Sequence, residues 1–287
     1  MYTQGGDITT YINAIHSNAN LANGKSVYDG YVIRPGFTPV RINQCAAAPA
    51  FGDPRRAIKK INAPVIIIAA QGEVTGLLDY RQPDGDAAIG KFRLYEVAGA
   101  SHIDKAAYSG FAAMEDQVKT GGNAQGTPLF PFAQRCEAET PLPERRVFSY
   151  IYDSTFTNID QWVRKGTPAP KSVRMELKGT GDQTAIALDQ HGNGLGGIRT
   201  PYVEVPISTF IPTTAGPGTC REMGHKIPFD WAKLEALYGN YKNYVANLNA
   251  AVDKAVKDRW FTEADGKRVK AEMGAALPAA ASRTSKD

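Results

Sequence analysis

The sequence has few cysteines and histidines, no long apolar run and no concentration of positive charge. Its three cysteines lie far apart, without the short Cys/His spacing of a structural zinc site, which needs four ligands. They allow either one disulfide with a free thiol or three reduced thiols, so they do not fix the compartment. No apolar run approaches the roughly 20 residues that span a bilayer, so no membrane span is expected.

Lysine and arginine number 33 against 29 acidic residues, but they are scattered along the chain. A nucleic-acid-binding surface normally has clustered basic residues, so we expect no nucleic acid partner. The first residues lack the charged and then apolar regions of a signal peptide. The 287 residues suffice for one large domain or two small ones.

Two short apolar runs predict strands that are buried on both faces. They are residues 65–70 (VIIIAA) and 92–97 (FRLYEV), and such runs are typical of the middle of a parallel sheet. Each run ends in a polar loop. Ligands bind at the carboxyl ends of strands in open α/β sheets, so we expect the chemistry in these two loops.

Other patterns predict the elements around this sheet. Helical periodicity covers residues 7–16, 145–165 and 241–260, with a short helical pattern at 55–61. Residues 27–33 predict a strand and residues 173–188 a hairpin that turns at 179–182.

The glycine-rich loop 192–197 lacks the following helix that a phosphate-binding loop needs. A Thr-Pro pair and a strand-like run, YVEVPI (202–207), come next. We interpret the loop as a structural one against the sheet, with Arg199 as an ion-pair partner.

Of four histidines, His102 is the one placed directly after a predicted buried strand. A general base needs an accessible loop and an acid that orients its ring. Glu73, after the neighbouring strand, is placed to be that acid, and Asp79, Asp84 and Asp86 in the same loop are alternatives. An acid after one strand and a histidine after the next match the Ser…acid…His order of α/β-hydrolases.

A nucleophile is missing from this set. G-x-S-x-G occurs nowhere in the chain, and the cysteines lie in no strand–turn–helix setting. Ser101 is next to His102 in sequence, which makes it a poor geometric partner. The other histidines, His16, His191 and His225, are interpreted as structural.

Five segments in a fixed order resemble one family. They are 10–16 (TYINAIH), 28–30 (YDG), 81–84 (RQPD), 92–99 (FRLYEVAG) with His102, and 196–201 (GGIRTP). Together they are similar to the bacterial α/β-hydrolase domain family of serine esterases, which are often exported. The resemblance covers about residues 1–275.

The resemblance implies an α/β fold, the C-terminal portion of an α/β-hydrolase sheet with helices on both faces. Residues 1–275 would form this partial domain, with a cap segment at 105–170 and a disordered tail at 276–287. His102 would be the triad base and Glu73 the acid, with a small-molecule ester as substrate and no cofactor or metal. Export is expected if the full-length protein has a signal peptide.

In the family, a serine turn lies just before the helix that contains residues 10–16. Either Tyr2 falls on or near that serine, or the serine lies upstream of Met1; we favour the second. The chain would then be a fragment, inactive as it stands, with exposed sheet edges that lead to aggregation or require a partner chain.

Two other functions remain open. A non-catalytic α/β-hydrolase-like binding protein fits if the serine is truly lost. A secreted carbohydrate-binding or structural domain would use Tyr238, Tyr241 and Tyr244, although their helical spacing favours a core face.

Overall fold

Three parallel strands form the central sheet of the computed structural model, which describes residues 5–34, 49–50, 52–104, 147–216 and 218–283. They are β1 (Tyr31–Ile33), β2 (Val65–Ala70) and β3 (Phe92–Val97), in the order β1-β2-β3. Every residue of the three strands is buried. The predicted strands at 65–70 and 92–97 are therefore confirmed at each residue, because a sheet covered on both faces requires continuous apolar runs.

The other elements include helices, two small hairpins and several short 3-10 helices. In chain order, the further helices and strands are α1 (Gly5–Ala14), α2 (Val147–Lys165), β4 (Leu177–Lys178), β5 (Ala185–Ile186), α3 (Pro201–Glu204), β6 (Ser208–Ile211), β7 (His225–Pro228), α4 (Trp231–Tyr238), α5 (Tyr241–Lys257) and α6 (Glu263–Arg283). No helix within the described ranges is long and apolar enough to cross a bilayer.

Helices α1 and α2 cover opposite faces of the sheet. Tyr31 of β1 contacts the His16 ring, just beyond α1, with centroids 5.5 Å apart. Arg93 of β3 lies 4.4 Å from the ring centroid of Trp162 in α2. Tyr31 is in register with Phe92 across β2. Successive side chains of a strand alternate between faces, so Arg93 points away from the α1 side. The predicted α/β fold with helices on both faces is confirmed.

Several predicted boundaries are wrong. Strand β1 includes only the end of the predicted 27–33 run, and helix α1 begins at Gly5 rather than at residue 7. The pattern at 55–61 forms only the 3-10 turn Pro54–Arg56. Asn13 explains this, because its side chain donates to the carbonyls of Arg55 and Ala57, at 3.1 and 2.9 Å, which a helix would use.

The strand predicted for YVEVPI is wrong as well. Pro201 opens the short helix α3, with Thr200 as its N-cap residue. Proline at the first helical position costs nothing, because its missing N–H would have no intrahelical partner there. Strand β6 begins only at Ser208.

The glycine-rich loop lies against the sheet, as the sequence indicates. The N–H of Ile198 donates to the carbonyl of Glu96 at 2.7 Å, and Ala98 N–H donates to Ile198 O at 3.0 Å. A Cβ on Gly197 would lie 2.4 Å from Glu96 O, so this close approach requires glycine. Arg199 forms ion pairs with Asp189 and Glu204.

Most of the cap segment predicted for residues 105–170 lies outside the described residues. Its described part includes helix α2, which packs against β1 and β2. At the other end of the chain, α6 runs to Arg283, into the predicted 276–287 tail. The cap and tail boundaries stay predictions.

Candidate active site

His102 and Glu73 meet at the carboxyl ends of β2 and β3. Glu73 lies in the 3-10 helix Gln71–Gly76 that follows β2, and His102 lies in the loop after β3. The imidazole Nδ1 forms a hydrogen bond with Glu73 Oε1. The Glu73 side chain is 4% exposed and that of His102 is 25% exposed. With an ionised carboxylate as acceptor, Nδ1 carries the proton and Nε2 keeps its lone pair.

The carboxylate of Glu73 is held at both oxygens. Its second oxygen, Oε2, accepts the Ala70 N–H at 2.6 Å. This backbone group belongs to the last residue of β2, so the position of the carboxylate is tied to the sheet. An acid fixed in this way can orient an imidazole ring.

The three aspartates that the sequence offers as alternatives to Glu73 pair with arginines and not with His102. Each of them forms an ion pair with an arginine: Asp79 with Arg56 at 2.6 Å, Asp84 with Arg174 at 2.6 Å, and Asp86 with Arg93 at 2.5 Å. Hydrogen bonds from Lys171 and Arg93 also lower the pKa of Asp86. Of the four candidates that the sequence offers, Glu73 is the one that contacts His102.

The loop around His102 is fixed on both sides of the histidine. Ser101 Oγ donates to Ile103 O at 2.8 Å, and Ile103 N–H donates to Glu222 O at 2.9 Å. Ser101 is buried and its hydroxyl points along its own loop. Ser101 therefore does not face His102 as a nucleophile would.

Two further contacts anchor this loop to the rest of the fold. Gly99 N–H donates to Gln71 Oε1 at 2.8 Å, which joins the residues after β3 to those after β2. The Asp104 carboxylate accepts Ser149 N–H at 3.0 Å and Ser149 Oγ at 2.8 Å in the first turn of α2. A carboxylate at this position also favours the helix dipole.

A scan against protein-family models matches residues 3–271 to the alpha/beta hydrolase domain. The chain belongs to this family. No curated protein and no solved structure matches it. The match confirms that the five segments indicate an alpha/beta hydrolase domain, and it includes both Glu73 and His102.

Two of the other histidines, His16 and His225, have neutral hydrogen-bond partners. His16 is buried, with Nδ1 bonded to Tyr31 OH and Nε2 to Asn62 Oδ1, each at 2.7 Å. His225 Nδ1 bonds to Thr214 Oγ1 at 2.9 Å, and burial lowers the pKa of His225. These contacts favour the structural interpretation.

A nucleophile is not found among the described residues. Tyr2 lies outside them, as do Cys45 and Cys136. Cys220 is buried and disulfide-bonded, so it is not a free thiol. Of the two cysteine states that the sequence allows, this selects the one with a disulfide over three reduced thiols. Within the described ranges, no three His, Cys, Asp or Glu side chains form a group that could hold a metal ion.

Arg34 is a site residue that the sequence analysis misses. Its Nη2 donates to the backbone carbonyl of His102. A signal was present, because Arg34 directly follows the predicted 27–33 strand. The rule that placed Glu73 and His102 at strand ends places Arg34 there too.

Proposed function

We propose that this chain carries the acid and the histidine of a serine hydrolase that acts on carboxylic esters. The hydrogen bond between Glu73 Oε1 and His102 Nδ1 supports this proposal most directly. It leaves Nε2 as the proton acceptor, and no described residue hydrogen-bonds to that atom. The same arrangement of acid and imidazole serves the Ser-His-acid triad.

In this reaction, Nε2 of His102 takes the proton from a serine hydroxyl while the serine oxygen attacks the ester carbonyl. Glu73 stabilises the resulting imidazolium, and backbone N–H groups stabilise the oxyanion. The imidazolium then gives its proton to the departing alcohol, which leaves an acyl-enzyme. Water, deprotonated by His102, releases the carboxylic acid and restores the serine.

We infer that the serine precedes α1 and lies upstream of Met1. The 287 residues contain no G-x-S-x-G, and the nearby Ser101 hydroxyl is bonded to Ile103 O. The chain as it stands would then be inactive. The same absence favours a second candidate, a binding protein of the hydrolase fold that has lost its serine.

The test compares hydrolysis of p-nitrophenyl acetate and butyrate by residues 1–287 and by a version extended through the upstream reading frame. We expect activity only in the extended protein. Substitution His102→Ala or Glu73→Gln should lower kcat on the order of 10⁴-fold, the scale of losses in other triads.

His16→Gln is the matched control. His16 contacts Tyr31 and Asn62 at the amino ends of β1 and β2, away from the proposed site, so its substitution should leave kcat unchanged. No hydrolysis in either protein would favour the binding function. Hydrolysis by residues 1–287 alone would contradict the upstream serine.

A further inference from the structure

We propose that Arg34 is a positioning residue that fixes the backbone of His102, an inference that rests on the proposed function. Arg34 directly follows β1, and its guanidinium reaches the carbonyl of His102 in the loop after β3. The contact therefore joins two strand ends that β2 separates in the sheet. It adds a main-chain restraint to the ring restraint that Glu73 supplies.

The surroundings of Arg34 differ from those of the other arginines around the sheet. Arg56, Arg81, Arg93 and Arg174 each form an ion pair with an aspartate or glutamate. Arg34 has no carboxylate partner in the described part of the chain. Its guanidinium lies 5.7 Å from the ring centroid of Phe148 and 5.9 Å from that of Tyr152, both on α2.

Partial burial of a cation is unfavourable for folding, since its charge loses hydration. Cation–π contacts with Phe148 and Tyr152 offset part of this cost. These contacts explain why the guanidinium lies beside α2, but they do not explain why it donates its hydrogen bond to His102 O. A role in positioning His102 accounts for this choice of acceptor.

The contact from Arg34 helps to fix the position of Nε2 of His102. Glu73 holds one ring nitrogen, Arg34 holds the carbonyl of the same residue, and Glu222 O holds the next N–H. Without Arg34, the His102 backbone can shift, which displaces Nε2 and loosens the hydrogen bond between the ring and Glu73. A misplacement of about 1 Å at a reacting group can cost roughly 10²-fold in rate.

The first test measures kcat and KM of the extended protein with two butyrate-sized p-nitrophenyl esters, one neutral and one with a carboxylate in its acyl group. Arg34→Met removes the donor but keeps an unbranched stem beside the two aromatic rings. We expect kcat to fall about ten- to hundred-fold for both esters, with KM unchanged. Arg34→Lys, which keeps a donor, should restore part of the loss.

Arg81→Met is the control for a merely structural effect. It breaks an internal ion pair with Glu96 that does not touch the His102 loop, so it should lower stability and leave kcat intact. Equal falls of kcat in the two methionine variants would overturn the positioning role. A rise of KM for the carboxylate ester alone would overturn it too, because Arg34 would then bind substrate.

The second test needs no catalysis and uses residues 1–287. The Nδ1 proton that His102 shares with Glu73 should give a downfield proton NMR signal that is absent in His102→Gln. We expect exchange with water to broaden or remove this signal in Arg34→Met but not in Arg81→Met. An unchanged signal in Arg34→Met would overturn the proposal, as would its absence from the unsubstituted chain. If the extended protein hydrolyses no ester, the proposed function fails, while this signal still decides the role of Arg34.

Discussion

At the scale of single residues, the pairing of buried charges determines how the sheet accommodates Arg93 and Glu96 of β3. Glu96 is 1% exposed, and its oxygens accept Arg81 Nε at 2.8 Å, Arg81 Nη2 at 2.7 Å and Met175 N–H at 2.7 Å. A buried carboxylate without such partners would be very costly. Glu96 and Arg93, which pairs with Asp86, therefore both fit inside β3, whose other side chains are those of phenylalanine, leucine, tyrosine and valine.

Arg81→Met should lower the free energy of unfolding by about 3 kcal/mol, because it leaves Glu96 buried without its counter-ion. Urea unfolding followed by circular dichroism measures this change. The matched control is Arg164→Met, which removes an exposed i,i+4 pair with Asp160 and should cost no more than about 0.5 kcal/mol. Similar losses in the two variants would show that the internal pair contributes little.

The same pairings explain how far the site could be predicted from sequence. The strand-end rule found Glu73 and His102, but it could not choose between Glu73 and the three aspartates of the same loop. That choice depends on arginines far away in sequence, such as Arg174, which bonds to Asp84 across 90 positions. Arg34 follows a predicted strand as Glu73 and His102 do, but its partner is a backbone carbonyl, which the sequence cannot identify.

At the scale of elements, the loop after β3 depends on Gly99. Its φ is +74°, and an added Cβ would lie 2.8 Å from Val203 Cγ1. Only glycine adopts this conformation readily, and only glycine leaves room for α3. The strands β2 and β3 could be predicted from their own composition, whereas this turn depends on a helix that lies a hundred positions away.

Gly99→Ala should destabilise the protein more than Gly166→Ala. Gly166 has a similar φ of +68°, but no atom lies within 4 Å of its added Cβ. The control therefore shows only the backbone cost of about 1 kcal/mol, and the excess at Gly99 reports the contact with Val203. Urea unfolding of both variants measures the difference. Equal destabilisation would mean that α3 moves aside freely.

At the scale of the whole molecule, the family match and the fold agree, and the apolar core extends from α1 through the sheet to α6. The sheet could be predicted because its strands are buried on both faces. Short elements such as α3 could not, because long-range contacts decide them. Of the three tyrosines whose spacing favours a core face, Tyr238 and Tyr244 are buried and donate to the carbonyls of Pro206 and Met273, whereas Tyr241 is exposed.

Buried tyrosines should make the molecule lose stability at alkaline pH. Burial raises the pKa values of Tyr31, Tyr95 and Tyr238, which lie in β1, β3 and α4, above their usual value of about 10. Below pH of about 10, both folded and unfolded chains keep these protons. Above it, the unfolded chain releases protons that the folded chain retains, so the free energy of unfolding falls as pH rises.

Each of these tyrosines should contribute a slope of about 1.4 kcal/mol per pH unit above the unfolded value. Urea unfolding between about pH 9 and pH 11 measures the total slope, and tyrosinate absorbance shows whether ionisation accompanies unfolding. Tyr95→Phe should reduce the slope, even though it also removes the hydrogen bond from Tyr95 OH to Pro170 O. Tyr241→Phe is the control, because it also removes a hydrogen bond from a phenol to a carbonyl, that of Gly274 at 3.0 Å, but at an exposed ring. Tyrosinate absorbance that reaches its full amplitude before the protein unfolds would contradict the burial of these three phenols.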